Sequence, residues 1–102
     1  MIPDKGVTKR VKVINKLGLH ARAAAKLVKL AGGFNSVIRL SMAEDGPGEV
    51  AEQEVDAKSI MGVMMLAATQ GSELRLTVRG KDAESAADAV CRLFADCFGE
   101  GE

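Results

Sequence analysis

The 102-residue chain, 47% hydrophobic and 27% charged, has apolar material for one core but not two and the composition of an ordinary globular domain. No apolar run approaches the roughly 20 residues of a membrane span, and Met1-Ile2-Pro3-Asp4-Lys5 lacks the centre of a signal peptide, so a cytoplasmic protein without membrane insertion is expected. The zero net charge conceals a division: residues 5–43 hold nine basic side chains and no acidic one, whereas residues 44–102 hold five basic and thirteen acidic. A basic half of this kind attracts anions and acidic partner surfaces. Nucleic acid is excluded on other grounds, because a chain with no Trp or Tyr, three Phe and no recognisable nucleic-acid motif offers no stacking platform. Cys91 and Cys97 fall on different faces of one predicted helix, so they form neither a disulfide with each other nor a metal pair with the lone histidine.

In chain order, residues 8–14 alternate and are rich in β-branched side chains, which predicts a strand. A turn through Leu17-Gly18 follows. Ala24, Leu27, Val28 and Ala31 then recur at helical spacing over residues 21–31, and Gly32-Gly33 stops that helix. Residues 34–42 return as a strand with Ile38, Leu40 and Met42 on one face. Glu44-Asp45-Gly46-Pro47-Gly48 is a turn cluster, and residues 49–55 form a poorer, acidic strand suited to a sheet edge. A second helix is predicted from Ser59 to about Thr69, closed by Gly71. Residues 73–79 make the clearest strand, with Leu74, Leu76 and Val78 inward and Arg75, Thr77 and Arg79 outward. Asp82 is placed to cap a last helix whose apolar stripe is Ala83, Ala86, Ala87, Val90, Leu93, Phe94 and Cys97, and Glu100-Gly101-Glu102 is expected to fray. The order βαββαβα, with three amphipathic helices and one half-buried sheet, predicts a two-layer α+β fold, the helices together on one face. The whole of 1–102 is read as one domain, with an ordered core over about 7–98.

The chemistry concentrates at Asn15-Lys16-Leu17-Gly18-Leu19-His20-Ala21-Arg22. A helix that begins at or just after His20 leaves unpaired N–H groups and the positive end of its dipole beside the imidazole, an arrangement that suits phosphate. The dipole disfavours imidazolium and so favours a neutral ring with a nucleophilic nitrogen. Arg22 in the first turn adds a planar fork of donors, and Gly18 permits a tight strand-to-helix turn. The plainer reading is that His20 caps the helix or fills the core. Further along, Lys58-Ser59-Ile60-Met61-Gly62-Val63-Met64 opens a helix with more apolar side chains than one buried stripe accommodates. The surplus is either deeply buried or exposed as an adaptable methionine-rich patch.

Together, Gly18-Leu19-His20-Ala21-Arg22 and Lys58-Ser59-Ile60-Met61-Gly62-Val63-Met64, in this order and on matching elements, resemble the HPr family of histidine phosphocarriers from the bacterial sugar phosphotransferase system. The resemblance spans residues 7–98. It implies an open-faced sandwich with a four-stranded antiparallel sheet covered on one face by three helices. It also implies that His20 accepts, at Nδ1, a phosphoryl group from enzyme I charged by phosphoenolpyruvate, and passes it to IIA-type proteins. In that relay Arg22 stabilises the transferring charge, the backbone N–H groups of Ala21, Arg22 and Ala23 hold the phosphate, and no base, metal or cofactor is required. Leu19, Ala21, Arg22, Ala23, Lys26, Ile60, Met61, Met64 and Met65 would include much of the docking surface, and Ser59 would be the target of an HPr kinase/phosphorylase. Such a protein is a monomeric carrier in a relay rather than a stand-alone enzyme. Ala23 departs from the common pattern, in which proline follows the arginine. A nitrogen-branch carrier of the NPr type, a protein-binding regulator without phosphoryl traffic, and a small-ligand-binding domain are the competing readings.

Overall fold

A computed structural model describes residues 6–43 and 53–100 as β1 (Gly6–Lys12), α1 (Ala21–Ala31), β2 (Val37–Met42), β3 (Val55–Asp56), α2 (Ile60–Met65), β4 (Glu73–Arg79) and α3 (Ala83–Ala95), followed by a 3-10 turn, Cys97–Gly99. The sheet is assembled around β4, whose alternation is the cleanest in the chain. Leu74, Leu76 and Val78 are fully buried, while Glu73 and Arg79 at its ends are exposed. Its neighbours are β1 and β2, both antiparallel, and β3 pairs outside β2, giving the order β1-β4-β2-β3. Leu74 faces Val11, Leu76 faces Leu40, and Val78 faces Ile38, so cross-strand apolar pairs set the register. Helices cover this face. α1 contributes Ala23, Ala24, Leu27 and Ala31, and α3 contributes Ala83, Ala86, Ala87, Val90 and Phe94. Alanine predominates among these buried helix residues. This is the expected α+β sandwich, its four-stranded antiparallel sheet under three helices.

The element boundaries depart from expectation in ways that matter for the site. β1 starts and ends earlier than 8–14, yet Val13 stays fully buried because its backbone exchanges hydrogen bonds with Ser72 and Gly71 at 2.8 and 2.7 Å. β2 begins at Val37, and Met42, at the end of the strand, is 38% exposed instead of completing the inner face. Among the described residues the edge strand covers Val55–Asp56, and residues 49–52 of its expected span lie outside them. α2 is a turn shorter than expected. It stops at Met65 with Leu66 as its C-cap, and Ala67 takes a left-handed φ of 50°, which turns the chain sharply before Gly71 is reached. The tail also differs from expectation. α3 ends at Ala95, Cys97 lies in the 3-10 turn, and left-handed residues Cys97, Phe98 and Gly99 reverse the chain, with Phe98 buried edge-on against Phe94 at 4.8 Å. Glu100 is therefore held and does not fray; Gly101 and Glu102 lie outside the described residues.

Asp82 occupies the N-cap position of α3, but its side chain makes no cap hydrogen bond. Its carboxylate instead accepts from the Ser36 hydroxyl and, at 2.9 Å each, from the backbone N–H groups of Asn35 and Ser36, tying the start of α3 to the lead-in of β2. Hydrogen bonds from the Ser36 side chain and the Asn35 backbone hold this carboxyl below its ordinary value of 3.8. A depressed folded-state pKa means that the unfolded chain takes up protons first as pH falls. The contribution is complete above the unfolded value and is lost as pH falls through the folded one. Wild type is expected to lose stability on acidification below about pH 4, and Asp82→Asn to start less stable at neutral pH but lose less over that interval. Urea midpoints from neutral pH to about pH 3 check this; parallel curves would show the carboxylate uncoupled from folding.

Candidate functional site

The site is built by the turn between β1 and α1. Asn15 is fully buried and its Nδ2 donates to the Gly18 carbonyl at 2.8 Å, while the Gly18 N–H returns to the Asn15 carbonyl at 3.2 Å. Gly18 has φ +67°, and a Cβ there would lie 2.6 Å from the Ala68 carbonyl oxygen, a contact that no backbone shift could easily relieve. The same carbonyl accepts the Leu19 N–H at 2.9 Å. The chain just after α2 thus supplies the acceptor that pins the turn. His20 follows as the N-cap of α1 in an extended conformation, φ −73° and ψ 177°, with no side-chain cap bond. The first helical bond runs from the Ala24 N–H to the His20 carbonyl at 2.8 Å, which leaves the N–H groups of Ala21, Arg22 and Ala23 without helical acceptors, and the first turn carries no acidic residue.

The His20 side chain is 26% exposed and its Nε2 meets the Glu100 carboxylate. Among the described residues no hydrogen-bonding group reaches Nδ1, and none engages the exposed Arg22 guanidinium. Partial burial pushes the Glu100 carboxyl up, but hydrogen bonds from His20 and Asn15 outweigh it and hold the group below its usual value of 4.5. The ring opens on a recess of about 750 Å³ bordered by Lys16, Leu17, Arg22, Lys26 and Glu100. Three cations and an open helix start around an imidazole suit an incoming dianion, and the carboxylate moderates their pull.

The expected docking residues divide. Ile60, Met61, Met64 and Met65 are 43–75% exposed, whereas Val63 is fully buried, so α2 turns one residue inward and leaves an apolar surface open. Ala21, Arg22 and Lys26 are exposed as well, although the Lys26 ammonium also donates to the Phe98 carbonyl at 2.6 Å and so anchors the tail. Leu19 and Ala23 do not belong to that surface. They are 5% and 0% exposed, because Leu19 is drawn under the turn by its bond to Ala68 and Ala23 shares the inner stripe with Leu27. Leu17, in the turn before His20, is 69% exposed at the mouth of the recess and adds an apolar side chain to it. Ser59 is the N-cap of α2, its Oγ accepting from the Gly62 N–H at 3.1 Å. No helix among the described residues is long and apolar enough to cross a membrane.

Fold and site together define a small α+β sandwich carrying one imidazole at an anion-suited helix start. A family model described as the PTS HPr component phosphorylation site matches residues 7–96. The phosphocarrier protein HPr of Cupriavidus necator is 54% identical over 88% of this chain and 92% of its own, and that of Pseudomonas aeruginosa is 46% identical over 90% and 94%. The crystal structure of the Bacillus anthracis HPr superposes with a TM-score of 0.73 at 42% identity, covering 85% of this chain and 94% of that one. The chain belongs to the HPr family, the phosphocarriers of the phosphotransferase system.

The close approach at Gly18 yields a direct test. Gly18→Ala must hold a Cβ in a left-handed conformation against a backbone carbonyl, so it should cost about 2–4 kcal/mol and lower Tm by roughly 10 °C or more. Gly6→Ala, where a Cβ meets open space, should shift stability by no more than about 0.5 kcal/mol. Equal melting curves for the two variants would contradict the close packing of the turn.

Proposed function

We propose that this chain, as a single monomeric domain, carries phosphoryl groups for sugar uptake: His20 takes the group at Nδ1 from phosphorylated enzyme I and passes it to IIA-type proteins. The observation that carries this reading is the division of the imidazole, with Nε2 engaged by Glu100 and Nδ1 left open beside three cations and unpaired N–H groups. The Nδ1 lone pair forms the new N–P bond as the donor's bond to phosphorus breaks, and the electron pair of that bond stays with enzyme I. Arg22, exposed in the first turn, neutralises charge on the phosphoryl oxygens during the crossing. An open recess suits a carrier, which must release what it binds. The apolar face of α2 is the docking surface, with Leu17 beside the ring as part of it. Incubated with enzyme I and phosphoenolpyruvate, the protein is expected to gain one acid-labile, alkali-stable phosphate and His20→Ala none. Arg22→Glu should slow transfer strongly while shifting stability by about 0.5 kcal/mol or less. Undiminished uptake by His20→Ala would refute the assignment, and unfolding of Arg22→Glu would make that arginine structural.

Regulation enters through Ser59, which is half-buried, caps α2 and borders the exposed Ile60 and Met61. A phosphate placed there by an HPr kinase/phosphorylase would sit at a helix start, so the fold tolerates it, while its charge at the rim of an apolar interface hinders docking. Ser59→Asp is expected to melt close to wild type, bind enzyme I more weakly and accept phosphate more slowly. Affinity and rate equal to wild type would remove the physical basis of this regulation.

A further inference from the structure

Glu100 lies far beyond both motifs, yet its placement is built rather than incidental. Phe98, 1% exposed, plugs the end of the helical layer; Lys26 donates to the Phe98 carbonyl at 2.6 Å; and the Gly99 and Glu100 N–H groups close the turn onto Asp96 and Cys97 at 2.9 Å each. This hook brings the Glu100 side chain, 14% exposed, across the chain to His20. One carboxylate oxygen meets His20 Nε2 and the other accepts from Asn15 Nδ2 at 3.0 Å. The Asn15 amide has no freedom to turn over. Both of its contacts, Gly18 O and Glu100 Oε1, are acceptors, so nitrogen must face them, and its oxygen stays buried without a partner among the described residues.

We propose that Glu100, oriented by Asn15, is a positioning residue for His20. Its carboxylate accepts the ring proton at Nε2 and thereby keeps Nδ1 as the nucleophilic lone pair. A carboxylate has no proton to donate, so a neutral ring facing it must carry the proton on Nε2. When Nδ1 bonds to phosphorus, no proton leaves the ring. The Nε2–H remains, the ring becomes cationic, and the carboxylate already in contact stabilises that charge, as the buried acid of a Ser-His-Asp triad does for its imidazolium. The inference rests on His20 being the phosphoryl acceptor, but the protonation pattern it requires exists without phosphate.

The two variants of Glu100 should behave in an unusual order. In Glu100→Gln the Asn15 nitrogen, pinned by Gly18, draws the new amide oxygen, which turns the new NH₂ toward Nε2 and forces the ring proton onto Nδ1. Glu100→Ala merely frees the ring. Because His20 is the only histidine, ¹⁵N spectra of the full-length, unphosphorylated chain report this ring alone. At a pH where the ring is neutral we expect protonation at Nε2 in wild type, a mixture in Glu100→Ala, and protonation at Nδ1 in Glu100→Gln. Phosphoryl acceptance from enzyme I should slow about tenfold in Glu100→Ala and on the order of a hundredfold or more in the near-isosteric Glu100→Gln. An identical protonation pattern in all three proteins overturns the proposal, as does a changed pattern with unchanged rates. If wild type takes no phosphate on His20, the proposed function fails, and the spectra still decide whether Glu100 sets the ring.

Discussion

The backbone contact between Gly18 and Ala68 is the constraint on which the site depends. It is a junction between two segments distant in sequence: the turn that leads into α1 and the chain just after α2. Because the Ala68 carbonyl accepts the Leu19 N–H and lies 2.6 Å from where a Cβ of residue 18 would stand, the turn is seated closely against it. Everything functional is then referred to that position. The ring of His20 follows Leu19 directly, the start of α1 follows His20, and the exposed face of α2 ends three residues before the junction. The chain leaves α2 at Met65 and turns through left-handed Ala67, and this path sets the Ala68 carbonyl against the turn.

Around this junction the electrostatics are balanced rather than maximised. Lys16, Arg22 and Lys26, with the open N–H groups of α1, attract a dianion, and a fully cationic recess would retain it. Glu100 places one negative charge at the same rim. Lys26 serves both sides, bordering the recess while its ammonium holds the carbonyl that fixes the tail. A carrier needs affinity of the middle kind, and a recess that sets one carboxylate among three cations suits that need.

Local patterns were legible in the sequence, and long-range closures were not. The alternation of Leu74, Leu76 and Val78 and the 3.6-residue recurrence in α1 and α3 located the sheet and its helices, because such periods report burial on one face. The motif residues His20 and Ser59 were found at their helix starts for the same local reason. Ala23 departs from the expected docking surface and lies inside, in keeping with its i,i+4 relation to buried Leu27. Glu100 departs from the expected frayed end because its position depends on left-handed Cys97 and Phe98, a conformation that neither residue type advertises. The one available sign was Phe98 itself, a large apolar side chain beyond the helix end that needed somewhere to be buried. Asp82 kept its expected place but spends its carboxylate on Asn35 and Ser36, a contact no helix-start rule foresees.

The central claim is that the surroundings of His20 leave one nitrogen for chemistry and occupy the other. It is tested most directly on the phosphorylated full-length protein labelled with ¹⁵N, by observing which ring nitrogen shows scalar coupling to ³¹P. Coupling at Nδ1, with a proton retained on Nε2, is the result this account predicts. Coupling at Nε2 would require Glu100 to be displaced from the ring and would contradict it.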